Sequence, residues 1–218
     1  MPPRLAFLHT AAVHEPTFRA LVTELSPGAD QVHAIHPEWL DQARREGLGG
    51  DLHDTVTGGL SALADQSDAV LCTCSTLGPV ADDLAKTNPK VLRIDRPLMA
   101  KAAATPGSAI VALCLDSTRD ATLSLIDDAF AAAGRRSDRT LCLCAEAWPY
   151  FERGDRDGFA RSIAAQIRRT AGEIPGAGCV VLAQASMACA EPLLTDLGLP
   201  VFSSPRLGVE AALVAAGQ

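Results

Sequence analysis

Residues 69–84, AVLCTCSTLGPVADDL, align without a gap with residues 179–194, CVVLAQASMACAEPLL. In both copies an uninterrupted apolar run gives way to polar residues, as at the carboxyl end of a buried parallel strand. The alignment places Cys74 on Gln184. The stretch therefore predicts a duplicated strand and turn that carries a thiol in one copy and an amide in the other.

The repeat extends outward over most of the chain. Residues 5–25 align with 110–130, and residues 32–39 align with 141–148, which superimposes the only two tryptophans, Trp39 and Trp148. Strand-like runs alternate with helix-like segments, which predicts parallel sheets that bind ligands at the carboxyl ends of their strands. We expect an α/β protein of two duplicated lobes related by a pseudo-twofold. Each lobe is a mostly parallel sheet flanked by helices, with the active site in the cleft between them.

The same pattern predicts the elements and the domain boundaries. Strands are expected at residues 5–9, 31–35, 69–74, 91–94, 109–115, 140–144, 179–183 and 201–202, and helices at 16–25, 52–65, 79–87, 120–134, 159–173, 191–197 and 208–216. The last helix has no counterpart in this scheme and is expected to pack on the first lobe. The first domain then comprises residues 1–97 and 207–218, and the second comprises residues 98–206, with 98–107 as the connection.

Composition narrows the classes of function. The 218 residues are 48% hydrophobic but only 4% aromatic, which is typical of small aliphatic helices packed on a parallel sheet. The net charge of −7 comes without a basic block, which argues against nucleic acid as a partner. The sequence has neither a membrane-spanning apolar run nor the pattern of a signal peptide. We predict a cytoplasmic protein without a membrane partner.

The cysteines predict neither a disulfide framework nor a metal site. There are seven of them, and Cys72 with Cys74, like Cys142 with Cys144, lies at i, i+2 spacing on one face of a strand. Structural zinc usually takes ligands two to four residues apart on turns. We therefore expect mostly reduced, buried thiols. Because no dinucleotide fingerprint, P-loop or G-x-S-x-G pattern occurs, we also expect no cofactor.

The strongest local candidate for chemistry is Cys74-Ser75-Thr76, which joins a buried strand to a helix. Free N–H groups and the helix dipole attract an anion at such a junction and favour a thiolate, so an active enzyme is expected to have a Cys74 pKa well below about 8.5. The competing interpretation is structural: Cys74 is a small buried residue, and Ser75 and Thr76 cap the helix.

The duplicated layout, residues 73–76 (TCST) and residues 182–187 (LAQASM) resemble the aspartate/glutamate racemase superfamily. That superfamily includes glutamate, aspartate and hydantoin racemases, maleate isomerase and arylmalonate decarboxylase, and the resemblance covers nearly the whole chain. It implies cofactor-independent chemistry at the α-carbon of a small carboxylic acid, which is flanked by one thiol from each lobe. Cys74 matches the first thiol. Gln184 stands where the second is expected, and the nearest thiol, Cys189, lies inside the following helix.

This departure leaves three hypotheses open. The first is a racemase- or isomerase-type enzyme with Cys74 as acid, base or nucleophile, although two-base racemisation needs a second acid or base that Gln184 cannot be at neutral pH. The second is a single-cysteine decarboxylase or lyase of the arylmalonate decarboxylase kind, in which Gln184 donates a hydrogen bond to a carboxylate or enolate oxygen. The third is a carboxylate-binding protein without turnover.

The repeat and the resemblance together indicate further site residues. Expected contacts to substrate are Thr10, Ser75, Thr76, Ser117, Thr118, Ala185 and Ser186. His9 either tunes a thiolate or is a structural strand-end residue, and Trp39 and Trp148 are either apolar lids or core residues of the repeat. Arg96 and Arg206 are additional carboxylate candidates. The expected partners are a small carboxylic acid substrate and a second copy of the chain in a homo-oligomer.

Overall fold

The computed structural model describes residues 2–217. Within this range the chain forms two four-stranded sheets whose strands are all parallel, in the orders β2-β1-β3-β4 and β6-β5-β7-β8. The expected pair of duplicated parallel sheets is therefore confirmed. The strands are β1 Arg4–His9, β2 Asp30–Ile35, β3 Ala69–Cys72, β4 Val91–Arg93, β5 Ser108–Leu113, β6 Arg139–Leu143, β7 Ala177–Leu182 and β8 Val201–Ser203.

Helices connect successive strands. The α-helices are α1 Glu15–Leu25, α2 Pro37–Glu46, α3 Gly50–Asp65, α4 Gly78–Ala85, α5 Arg96–Ala104, α6 Arg119–Ala132, α7 Trp148–Glu152, α8 Arg156–Glu173 and α9 Ser204–Ala215. Segments of 3-10 helix lie at Ala12–His14, Asp116–Thr118, Ala145–Ala147 and Ala185–Leu197. The last occupies the residues where an α-helix was expected at 191–197, and it contains Pro192. None of the described helices combines the length and apolarity required to cross a bilayer.

Contacts between Cα atoms divide the chain into two compact units. Unit 1 comprises Met1–Asp95 and Pro205–Gln218, and unit 2 comprises Arg96–Ser204. Helix α5 follows the fourth strand of the first sheet and α9 follows the fourth strand of the second, so they are equivalent elements. The expectation that the last helix has no counterpart is wrong. Pro97 in the first turn and the alanines after it favour a helix where a simple connection was expected.

In unit 1 the sheet is covered on both faces. Leu8 and Cys72 point into a core that α3 and α4 complete with residues such as Leu60. On the opposite face Phe7 packs on Phe18 of α1 with ring centroids 5.5 Å apart. This two-sided burial explains why β1 and β3 consist of near-continuous apolar residues.

Strand pairing corrects the alignment of the repeat by one residue. Leu5 pairs with Ala69 in unit 1, and Ala109 pairs with Cys179 in unit 2. Since Ala69 corresponds to Cys179, Leu5 corresponds to Ala109 rather than to Ile110. The same shift makes the 3-10 turns Ala12–His14 and Asp116–Thr118 equivalent. It places Thr10 on Cys114 at the strand ends, while the correspondence of Cys74 with Gln184 is unchanged.

Candidate functional site

In unit 1 the Cys74 sulfur lies among hydrogen-bond donors at the carboxyl ends of β1 and β3. The hydroxyls of Thr10 and Thr76 and the backbone N–H groups of Thr76 and Leu77 hydrogen-bond to it. Cys74 is 8% exposed, and Ser75 and Thr76 beside it are also buried. Three of the predicted site residues, Thr10, Cys74 and Thr76, are thus brought into contact.

Burial decides the protonation state of this thiol. Desolvation raises the pKa of Cys74 above its ordinary value, although the donors from Thr10, Leu77 and Thr76 each lower it. The expected depression of the pKa is therefore not found. At neutral pH the group is a thiol that can give a proton, and its donors can stabilise the thiolate that remains after the proton has left.

Behind the turn that carries Cys74 lies a buried ion triad, defined here as Arg93, Asp95 and Asp82. Arg93 at the end of β4 donates from Nε and Nη2 to the two carboxylate oxygens of Asp95 at 2.5 and 3.0 Å. Its Nη1 donates to Asp82 of α4 at 3.0 Å. Burial disfavours the guanidinium cation, but the ion pairs outweigh it and raise the pKa of Arg93. Sequence reasoning missed this triad.

His9 belongs to a chain of ring contacts on the other face of the sheet. Its Nδ1 lies 2.8 Å from Thr73 Oγ1, and its Nε2 lies 2.9 Å from His33 Nδ1. Because the Thr73 hydroxyl donates its proton to Leu8 O, it accepts from His9 Nδ1. Burial and the nearby His33 and His14 lower the pKa of His9 to about 3. A neutral, fully bonded ring agrees with the structural interpretation of His9.

In unit 2 Gln184 occupies the position equivalent to Cys74 and is 7% exposed. Its Oε1 accepts from the backbone N–H of Cys114 at 2.5 Å and from that of Leu115 at 3.3 Å. Backbone N–H groups only donate, which fixes the orientation of the amide. No described residue accepts from Nε2, so that group remains a donor at the carboxyl end of β7.

The other predicted contacts in unit 2 differ in how far their polar groups are available. The Thr118 hydroxyl donates to Leu115 O at 2.7 Å, so its only proton is already used. Ser117 is exposed in the same 3-10 turn. Ala185 begins the 3-10 segment after Gln184, and Ser186 accepts there from Cys189 Sγ at 3.4 Å. These four residues remain predictions as substrate contacts.

The two tryptophan candidates and Arg206 make contacts within their own units. Trp39 stacks on His36 with centroids 3.8 Å apart, and Trp148 stacks on Phe151 at 4.7 Å. Both are half-buried. Arg206 forms an exposed ion pair with Glu24 at 2.7 Å.

The remaining thiols lie mostly in the core of unit 2. Cys142 and Cys144 have their sulfurs 3.8 Å apart, and Cys114 lies in the same core. Cys189 is half-buried, and burial raises its pKa. Within residues 2–217 no group of three or more His, Cys, Asp or Glu side chains is arranged to hold a metal ion.

Three solved structures share this architecture. The Picrophilus torridus aspartate racemase has a TM-score of 0.69 at 14% identity, with 99% of this chain and 94% of that chain covered. The allantoin racemase from Pseudomonas fluorescens has a TM-score of 0.62 at 17% identity, covering 98% and 92%. An arylmalonate decarboxylase has a TM-score of 0.61 at 13% identity, covering 99% and 93%. Neither a protein-family model nor a curated protein sequence matches the chain.

Proposed function

We propose that this chain, which has the fold of the aspartate/glutamate racemase superfamily, is a cofactor-independent enzyme of the racemase/isomerase type. Its substrate is a small carboxylic acid, and Cys74 acts at the α-carbon. The observation that carries the proposal is the Cys74 sulfur, which lies just beyond the end of the central strand β3 and is surrounded by four donor groups. A structural cysteine in an apolar core needs no such set of donors.

In this proposal Cys74 moves a proton at its sulfur. The donors from Thr10, Thr76 and Leu77 stabilise the thiolate form, and the buried surroundings strengthen these hydrogen bonds because water does not compete with them. Gln184 contributes its free Nε2 donor to a carboxylate or enolate oxygen. Thr10 and Thr76 direct their hydroxyl protons to the sulfur, and in this proposal Ser75 supplies a hydroxyl for the carboxylate.

The raised pKa of Cys74 supports a second candidate, a decarboxylase or lyase. Burial keeps the group protonated at neutral pH, and a protonated thiol can deliver its proton to one face of a carbanion after carbon dioxide has left. An amide at position 184 suits such one-sided chemistry, because no second acid or base is needed. The two candidates share Cys74 and differ in whether the proton transfer is reversible from both faces.

One assay separates these functions. The protein is incubated in deuterated water with a panel of dicarboxylates, α-amino acids and aryl-substituted malonic acids, and products are followed by proton NMR and chiral chromatography. Exchange or inversion at the α-carbon supports the isomerase, and loss of carbon dioxide with deuterium on one face supports the decarboxylase.

Two variants assign the activity to its residue. Cys74→Ser is expected to remove turnover, whereas Cys189→Ser, which changes a half-buried thiol in unit 2, is expected to retain it. Binding of a panel member without turnover, at equal affinity in wild type and Cys74→Ala, would instead indicate the carboxylate-binding protein. Full turnover by Cys74→Ser would overturn the proposal.

A further inference from the structure

The turn that presents Cys74 packs directly on a charged side chain. Gly78 begins α4, and a Cβ atom built on it would come within 2.8 Å of Arg93 Cζ. Only glycine therefore leaves room for the Arg93 guanidinium beside the start of the helix. Gly78 N also donates to Ser75 O at 3.3 Å, which closes the turn on itself.

The groups that hold Arg93 are more deeply buried than an ordinary ion pair. The Arg93 side chain is 3% exposed, Asp95 is fully buried and Asp82 is 18% exposed. Asp95 takes two of the guanidinium bonds, and Asp82 takes another from within α4. The guanidinium of Arg93 thus links the end of β4 to the helix that starts at Gly78. A planar, bidentate cation fixes both position and orientation, which a lysine cannot do.

We propose that Arg93, held by Asp95 and Asp82, is a positioning residue that fixes the 75–78 turn so that the N–H groups of Thr76 and Leu77 point at the Cys74 sulfur. The inference rests on the proposed function only in taking Cys74 as the working residue. Arg93 itself does not touch the substrate in this proposal. It acts through the turn, which is the same segment that carries the two backbone donors.

The test measures the sulfur directly and requires no substrate. Alkylation of Cys74 by iodoacetamide is followed across pH by peptide mass spectrometry, so that the other six cysteines are counted separately. Asp82→Asn removes the negative charge from one arm of the triad and leaves the buried Arg93–Asp95 pair intact. Gly78→Ala displaces the guanidinium. In both variants we expect the pH midpoint of Cys74 alkylation to rise by about half to one pH unit, with about 3- to 10-fold slower reaction below the midpoint.

Two further variants separate positioning from stability. Arg93→Lys keeps the charge but loses the fork, so it is expected to shift the profile as Gly78→Ala does. Ser203→Ala removes the corresponding tie in unit 2, where Ser203 Oγ donates to Glu191 at 2.6 Å, and is expected to leave the Cys74 profile unchanged. If the triad were merely structural, the triad variants would lower the melting temperature but leave the pH midpoint of Cys74 alkylation unchanged. Superimposable profiles for folded Asp82→Asn and wild type would overturn the inference, whatever the outcome for turnover.

Discussion

The two copies of the strand and turn, residues 69–84 and 179–194, share a backbone arrangement but differ in the contacts of their central side chain. In unit 1, Cys74 is surrounded by donors and is followed by an α-helix that the buried triad holds in place. In unit 2, Gln184 accepts with its own oxygen from the backbone just beyond β5 and is followed by a 3-10 segment. The first copy thus receives hydrogen bonds at its thiol sulfur, and the second uses the oxygen of its side chain to bind its own backbone. The two copies therefore share a framework but differ in the contacts of the side chain at the equivalent position.

The largest expected difference between the copies is in turnover. Cys74→Ser is expected to reduce kcat by about 10³-fold or more, because it removes the residue proposed to move the proton. Gln184→Ala is expected to cost about 10- to 100-fold, because it removes one hydrogen-bond donor. Steady-state kinetics on the substrate found in the panel measure both. Equal losses at the two positions would contradict the division of roles.

The next difference concerns stability. Arg93→Met leaves Asp95 buried without its partner and is expected to lower the free energy of unfolding by about 3–5 kcal/mol. Ser203→Ala, at the corresponding strand end of unit 2, removes one partly exposed hydrogen bond and is expected to cost about 1 kcal/mol. Urea denaturation followed by circular dichroism gives both values. Comparable losses would show that the triad is not the stronger of the two ties.

Acid should affect unit 1 before unit 2, since all five histidines lie in unit 1. Burial holds the pKa of His9 at about 3, and those of His14 and His33 at about 4, against an ordinary value of 6.5. Between these values the unfolded chain binds protons that the folded chain does not. The stability of unit 1 therefore falls as the pH drops from about 6.5 towards 4.

The two tryptophans report this difference separately. Trp148→Phe leaves Trp39 as the probe of unit 1, and Trp39→Phe leaves Trp148 as the probe of unit 2. Urea midpoints are measured by fluorescence at pH 7 and at pH 4.5. Between these two pH values, the midpoint reported by Trp39 is expected to fall more than the midpoint reported by Trp148. His33→Gln should lessen that fall, because it removes one titrating group. A Trp39 midpoint that does not change with pH would contradict the assignment.

The smallest expected effect is a gain of proton exchange in a Gln184 variant. Gln184→Cys restores the thiol that the superfamily pattern places in the second copy, and it is expected to introduce or raise exchange from the second face of the α-carbon. Proton NMR in deuterated water, starting from each enantiomer, measures it. The wild type is expected to exchange from one face only. Equal two-way racemisation by the wild type would sink this expectation and indicate another second base.

Sequence patterns predicted the two sheets and the equivalence of Cys74 and Gln184 in the repeat, because apolar runs that end in polar residues are local signals. The predicted alignment of β1 with β5 was wrong by one residue. Both strands are buried on both faces, so neither shows the alternation that fixes a register. The role of Arg93 was not predicted, because its partners Asp82 and Asp95 are brought together only by the fold. The pKa of Cys74 was expected in the wrong direction, since the sequence shows the helix start but not the depth of burial.

Helices α5 and α9 have a consequence for the history of the gene. Each is encoded directly after the fourth strand of one unit and packs in the other. A half-length ancestor with one sheet and its trailing helix would have completed itself by lending that helix to an identical neighbour and borrowing one in return. Joining two such half-genes in tandem would have turned a concentration-dependent partnership into a built-in one. The two halves would then have been free to diverge, one towards a thiol and the other towards an amide.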